Sequence, residues 1–192
     1  MNPFVNYISK HIELSTDAQK AIDDLIPIKE FKSGHILLKE GSVSKEAFFN
    51  LKGCVRMFFN QDGEEKTTFF YTENQFITSI KSFNTHEPTS HYLECIEDCT
   101  LAILSFEAEE ELLTRFPELE VFARISMQEE LINYQEMLSA YIISNPEQRY
   151  LNLIKNKPEL LQRVPQYQLA TYLGIKPETL SRIRKRVFQK RS

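Results

Sequence analysis

The sequence predicts an α+β chain built from a small roll or barrel of short strands, one long helix and a basic helix-turn-helix. Three observations carry this. Short runs rich in β-branched and aromatic residues fill Phe31 to about Phe106, and Gly34, Gly41, Gly53 and Gly63 punctuate them. An unbroken helical pattern follows from Pro117 to about Ile143. The charge then reverses: the chain from Asn145 onward carries 11 basic and 3 acidic residues, whereas residues 1–144 carry 12 and 24. The expected parts are 1–116, the roll with flanking helices; 117–143, the long helix; and 144–192, the helix-turn-helix.

The elements follow in order. VNYISKHIEL and TDAQKAIDDLI read as short helices, with Ser15 or Thr16 as cap. HILLKEG, EAFFNLKGCVRMFFN, KTTFFYTENQF and HYLECIEDCTLAILSF read as strands, and Asp62-Gly63 is a tight hairpin signal. EAEEELLTRF is a short helix with acidic residues in its first turn, where the helix dipole favours them. Pro117 can start the long helix, since proline is tolerated at the first helical position. That helix would be roughly 40 Å long at 1.5 Å per residue. Along it Met127, Leu131, Tyr134, Leu138 and Tyr141 recur at alternating spacings of four and three, a heptad seam. The seam is expected to pair with a second copy, because one small roll can hardly cover so long a helix. Ser144-Asn145-Pro146 stops that helix and starts the next, PEQRYLNLIKN; KPELLQRV reads as a short link.

The stretch QLATYLGIKPETLSRIRKRV, Gln168 to Val187, carries the chemistry. A helix from Pro165 to Tyr172 can bury Leu169, Ala170 and Leu173. Gly174 turns the chain without a Cβ penalty, and Pro177 starts a second helix that buries Leu180, Ile183 and Val187. Small, turn and apolar requirements coincide at the offsets of a helix-turn-helix. The opposite face carries Glu178, Ser181, Arg182 and Lys185 in one stripe. A major groove admits such a helix. Arg182 can pair with guanine O6 and N7, Glu178 can accept from cytosine N4, and Ser181 can adapt to several edges. Phosphate contacts are expected from Gln166, Thr179, Lys185 and Arg186, with Arg184, Lys190 and Arg191 also placed for them.

Other classes find little support. No phosphate loop, nucleophile elbow or zinc-ligand spacing is present, so an enzyme is not expected. No cofactor or metal is expected: Cys54, Cys95 and Cys99 read as core residues, and His86 and His91 lack a third ligand. No apolar run suits a membrane span, the N-terminus lacks a signal-peptide pattern, and the cysteines fit a reducing cytoplasm.

These residues resemble the CRP/FNR family of bacterial transcription regulators. Pro177–Arg182, P-E-T-L-S-R, looks like the recognition helix of the FNR branch, and Gly41 to Gly53 keeps the glycine spacing of the family's cyclic-nucleotide-binding roll. The resemblance implies a double-stranded β-roll, a dimerisation helix and a winged-helix-like helix-turn-helix. It implies a homodimer on palindromic double-stranded DNA with TTGA-like half-sites, base contacts from Glu178, Ser181 and Arg182, and contact with RNA polymerase. The departures are as informative. Where the family's phosphate cassette has Gly-Glu and Arg-Ser, this chain has Thr78-Ser79 and Thr89-Ser90. The ribose-binding glutamate and the phosphate-neutralising arginine are gone, and a buried phosphate without a cation is costly. Cyclic AMP bound in the usual way is not expected. Thr78, Ser79, Thr89 and Ser90 are instead a neutral candidate pocket for another small-molecule effector, or for none. The N-terminus lacks the cluster-binding cysteines of the FNR branch, and the family's C-terminal β-wing is expected to be short or missing. The alternative reading is a signalling or scaffold module that does not bind DNA.

Overall fold

The computed structural model describes residues 2–189. Helices α1 (Pro3–Ile8) and α2 (Thr16–Leu25) precede five strands: β1 (Ile28–Phe31), β2 (Ile36–Leu38), β3 (Glu46–Lys52), β4 (Val55–Gln61) and β5 (Glu64–Tyr71). Then come β6 (Phe76–Ile77), α3 (Ile80–Thr85), β7 (Tyr92–Cys95), β8 (Cys99–Ser105) and α4 (Phe106–Arg115). The remainder is helical: α5 (Pro117–Ile143), α6 (Pro146–Asn156), α7 (Leu160–Arg163), α8 (Gln166–Tyr172) and α9 (Pro177–Gln189). The α+β roll, long helix and C-terminal helices expected from the sequence are all present.

The local signals act as expected. The Ser15 hydroxyl accepts from the Ala18 amide at 3.2 Å and caps α2. Asp62 and Gly63 both take positive φ, 54° and 81°, and close the β4–β5 hairpin with two residues. Asn145 and Gln148 form a reciprocal capping box, and Pro146 lies in the first turn of α6. Two short helices differ from the sequence reading. α3 occupies a stretch without helical periodicity, and α7 folds inside the expected link KPELLQRV, where Leu160 is fully buried.

The chain divides into two compact units. The first comprises the chain up to Arg56 together with Phe70–Leu131. The second comprises Met57–Phe69 and the chain from Ile132 onward. The strands form two four-stranded sheets, ordered β1-β8-β3-β6 and β2-β7-β4-β5. β3 lies between β8 and β6, both antiparallel to it. Four consecutive β3 residues, Ala47 to Asn50, are buried, so alternation is lost. The cause is cover on both faces: Phe48 meets Phe31, while Phe49 meets Phe4 and Tyr7 of α1.

Gly53 shows how tightly the roll closes. Its φ is +105°, and a Cβ there would lie 2.6 Å from Cys99 Sγ and 2.8 Å from the Asp98 carbonyl oxygen. Gly63 has a φ of +81° but open space around it. Both Gly→Ala changes carry the left-handed backbone cost of about 1–2 kcal/mol. Gly53→Ala adds a steric cost of about 1–3 kcal/mol. Urea unfolding of the two variants should separate them by that margin, and equal losses would show that the contact with Cys99 and Asp98 is slack.

Candidate nucleic-acid interface

The second unit holds the helix-turn-helix. Leu169, Ala170 and Leu173 from α8 and its C-cap, and Leu180, Ile183 and Val187 from α9, are all buried. The Ile175 amide donates to the Ala170 carbonyl at 3.0 Å, closing the turn. Gly174 sits at φ +66°, and a Cβ there would collide with the Tyr141 hydroxyl. Backbone conformation therefore favours glycine here, and any side chain would also push the Tyr141 hydroxyl aside.

Arg149, which the sequence reading did not single out, organises this turn. Its guanidinium lies over the Tyr141 ring, 4.5 Å from the centroid. Its Nε donates to the Leu173 carbonyl at 2.9 Å, and its Nη1 donates to the Ser144 carbonyl at 2.8 Å. It thus ties together the end of α5, the start of α6 and the end of α8. No sequence signal marks it, because its three partners are distant or backbone atoms.

Glu178, Ser181, Arg182 and Lys185 are all exposed on α9, opposite the buried stripe. The Arg182 Nη2 donates to Thr179 Oγ1 at 3.3 Å. Gln166 is exposed at the first position of α8. Arg186 forms an ion pair with Glu147 at 3.1 Å, so a phosphate would have to compete with that carboxylate. Lys190 and Arg191 lie outside the described residues. The far end of the β4–β5 hairpin belongs to the same unit. The Thr67 amide donates to Thr171 Oγ1 at 3.2 Å, and Lys157 Nζ lies 5.1 Å from the centre of the Phe69 ring.

Of the heptad seam, Met127, Leu131, Leu138 and Tyr141 are exposed, as are Ile132, Ile142 and Ile143. Ile143 reaches 81% exposure, a large value for an apolar side chain near the end of a 27-residue helix. Tyr134 stacks at 5.3 Å on Phe69 of its own chain, and Tyr141 is the ring under Arg149.

The four cassette residues do not line one pocket. Ser79 Oγ and Thr89 Oγ1 hydrogen-bond to each other at 3.1 Å, and both residues are buried. Thr89 Oγ1 also meets His91 Nδ1 at 3.1 Å. Ser90 is exposed. Thr78 Oγ1 is buried without a hydrogen-bond partner, in the wall of a different cavity. The three cysteines are buried, and the Cys95 thiol is held far above its ordinary range, first by a hydrogen bond with Cys99 and then by burial. Among the described residues, no three His, Cys, Asp or Glu gather as metal ligands, and no helix is long and apolar enough to cross a membrane.

Residues 28–116, from β1 to the end of α4, match the cyclic nucleotide-binding domain family. Electron transport regulator A of Shewanella oneidensis is 24% identical over 192 residues, covering 92% of this chain and 75% of that protein. Among solved structures, the c-di-GMP-responsive global regulator CLP of Xanthomonas campestris superposes with a TM-score of 0.71 at 16% identity, covering 92% of this chain and 93% of its own. The catabolite activator protein of Thermus thermophilus gives 0.53 at 17% identity, covering 96% and 87%. Residues 28–116 thus match the cyclic nucleotide-binding domain, and the chain shares the fold of these solved regulators.

His91 gives this region a pH dependence. Burial lowers its pKa, so the folded state favours the neutral ring. The stability that this contributes is intact above the unfolded value of about 6.5 and is lost as pH falls below it toward the lower folded value. Urea midpoints should fall as pH drops below 6.5, and His91→Gln should flatten that slope. An unchanged slope would place the acid sensitivity elsewhere.

Proposed function

We propose that this chain is a sequence-specific, DNA-binding transcriptional regulator of the CRP/FNR type, acting as a homodimer on a palindromic site. The observation that carries the reading is the α9 face. Glu178, Ser181, Arg182 and Lys185 stand exposed over a fully buried Leu180-Ile183-Val187 stripe, on a helix fixed to α8 by the Gly174 turn. That is the presentation a major-groove helix needs. Arg182, Glu178 and Ser181 are assigned to base edges. Gln166, Thr179, Lys185 and Arg186 are assigned to phosphates, which position the protein without reading sequence.

The dimer is assigned to α5. Exposed Met127, Leu131, Leu138 and Tyr141 form an apolar stripe that a second copy of α5 would cover. The effector is other than conventionally bound cyclic AMP, or there is none. At the cassette positions, Ser79 and Thr89 hydrogen-bond to one another, and neither they nor Thr78 and Ser90 carry charge. RNA polymerase is the expected protein partner, the cytoplasm the expected location, and no enzymatic activity is assigned.

Selection of bound sequences from a random duplex library, with the purified full chain and no added ligand, tests the reading. A palindrome with TTGA-like arms is expected, the half-sites about one helical turn apart. Arg182→Ala should erase the base preference at about 1–3 kcal/mol per lost contact, with the dimer intact. Lys185→Ala should weaken all sequences alike and lower the salt slope by about one. Specific binding that survives Arg182→Ala would sink the recognition-helix assignment. A protein that enriches nothing, with or without small molecules, would favour a signalling module without DNA binding.

Leu138→Glu places a charge in the proposed seam. Sedimentation should show a monomer where the parent chain sediments as a dimer. A dimer that persists in Leu138→Glu and in Leu131→Glu would remove α5 as the interface.

A further inference from the structure

The first unit holds a partly open cavity of about 160 Å³ whose lining includes neither Ser79 nor Thr89. Phe4 of α1, Phe76 of β6 and Phe122 of α5 line it, with Leu104, Leu112 and Ala123 among the other apolar walls. A volume of about 150 Å³ accommodates one benzene-sized ring. Polar side chains interrupt the apolar lining here at Thr78, Asn84, Glu109, Ser126 and Glu130. Glu109, in the first turn of α4, is part of its lining.

That carboxylate is only half accommodated. Burial raises its pKa, and burial is the sole cause, with no cation or hydrogen bond acting against it. The basic residue of the same helix, Arg115, is engaged by Glu111 and by the Phe116 ring. Helix-dipole stabilisation explains a carboxylate at this position but not one facing a largely apolar pocket. A charge beside a low-dielectric cavity is strongly stabilised by a cation brought into that cavity. Aromatic rings on the walls add to the attraction, since a cation is drawn to ring faces. Thr78, in the same wall, has a hydroxyl without a partner. An ammonium, which has donors to spare, is the kind of group such an acceptor lacks.

We propose that this cavity is a binding site for a small aromatic or aliphatic primary amine, its apolar body against Phe4, Phe76 and Phe122 and its ammonium on Glu109. The charge decides the class: an anionic ligand meets Glu109 as a like charge, and a neutral ring leaves the carboxylate unpaired. The site takes in Thr78 but not Ser79, Thr89 or Ser90, and it does not depend on the DNA-binding reading.

Calorimetric titration of the full chain with benzylamine, benzyl alcohol and benzoate at pH 7.5, without DNA, tests this. Benzylamine is expected to bind saturably and the other two at least about tenfold more weakly, as for a hydrogen bond to a charged group. Glu109→Gln should cost benzylamine about tenfold or more and leave benzyl alcohol nearly unchanged. Ala123→Leu should fill the void and remove benzylamine binding. Should that variant fail to fold, Glu109→Gln still decides. Methyl NMR shifts of Ala47 and Ala123 on titration would locate the ligand. No binding by benzylamine, equal binding by all three compounds, or affinity unchanged in Glu109→Gln would each overturn the proposal.

Discussion

Phe49 is the ring on which the first unit is assembled. It is 1% exposed on the strand between β8 and β6, and it meets three other rings: Phe4 at 4.8 Å, Tyr7 at 4.5 Å and Phe76 at 5.0 Å. Phe122 of α5 then joins Tyr7 at 6.2 Å and Phe76 at 6.3 Å. Each aromatic pair adds about 0.5–1.5 kcal/mol beyond the area it buries. Their joint effect is positional. The cluster fixes α1 to the sheet and the start of α5 to both, and so decides which face of α5 is left uncovered.

Polar bonds then lock what the rings arrange. The Asn50 side chain, fully buried, donates from Nδ2 to the Gly53 carbonyl at 2.8 Å and to the Tyr71 carbonyl at 3.3 Å. Arg56, 3% exposed, pairs with Glu94 of β7 through Nη2 at 2.5 Å. A buried pair of this kind adds little over an apolar substitute, but removing one partner costs about 3–5 kcal/mol. Its value lies in register: it admits one alignment of β4 against β7. The cysteines have the opposite character. The hydrogen bond with Cys99 and burial keep the Cys95 thiol protonated, and all three cysteines are buried as small core residues.

What could be read from the sequence was what local chemistry decides. Ser15, Asp62-Gly63, Pro117, Asn145-Pro146 and Gly174 each act within a few residues of themselves, and the helix-turn-helix is a fixed set of such requirements. The heptad spacing identified a face of α5 but could not name what touches it. Tyr134 meets Phe69, and Tyr141 meets Arg149 and the Gly174 turn, all within one chain. Likewise, four hydroxyl residues at cassette positions read as a pocket. That Ser79 and Thr89 satisfy one another, while Thr78 faces another wall, depends on the path of α3, which no periodicity announced. Arg149 and Glu109 were invisible for the same reason: their meaning comes from residues far away in sequence.

The two proposals made for α5 meet at one turn of that helix. Met127 lines the cavity and is also 55% exposed on the apolar stripe assigned to a second copy. A ligand changes a conformational equilibrium only through different affinities for the two states. Met127 supplies a physical route to such a difference, because its flexible thioether side chain can fill space on either side of the helix. Coupling of this kind is reciprocal, so covering the stripe must alter affinity for the ligand by the same factor that the ligand alters pairing. The device needs no charged cassette. A roll without charged residues at the cassette positions would then still offer, in the packing of α5 on its aromatic core, a place for a small molecule to act on the helix that two copies would share.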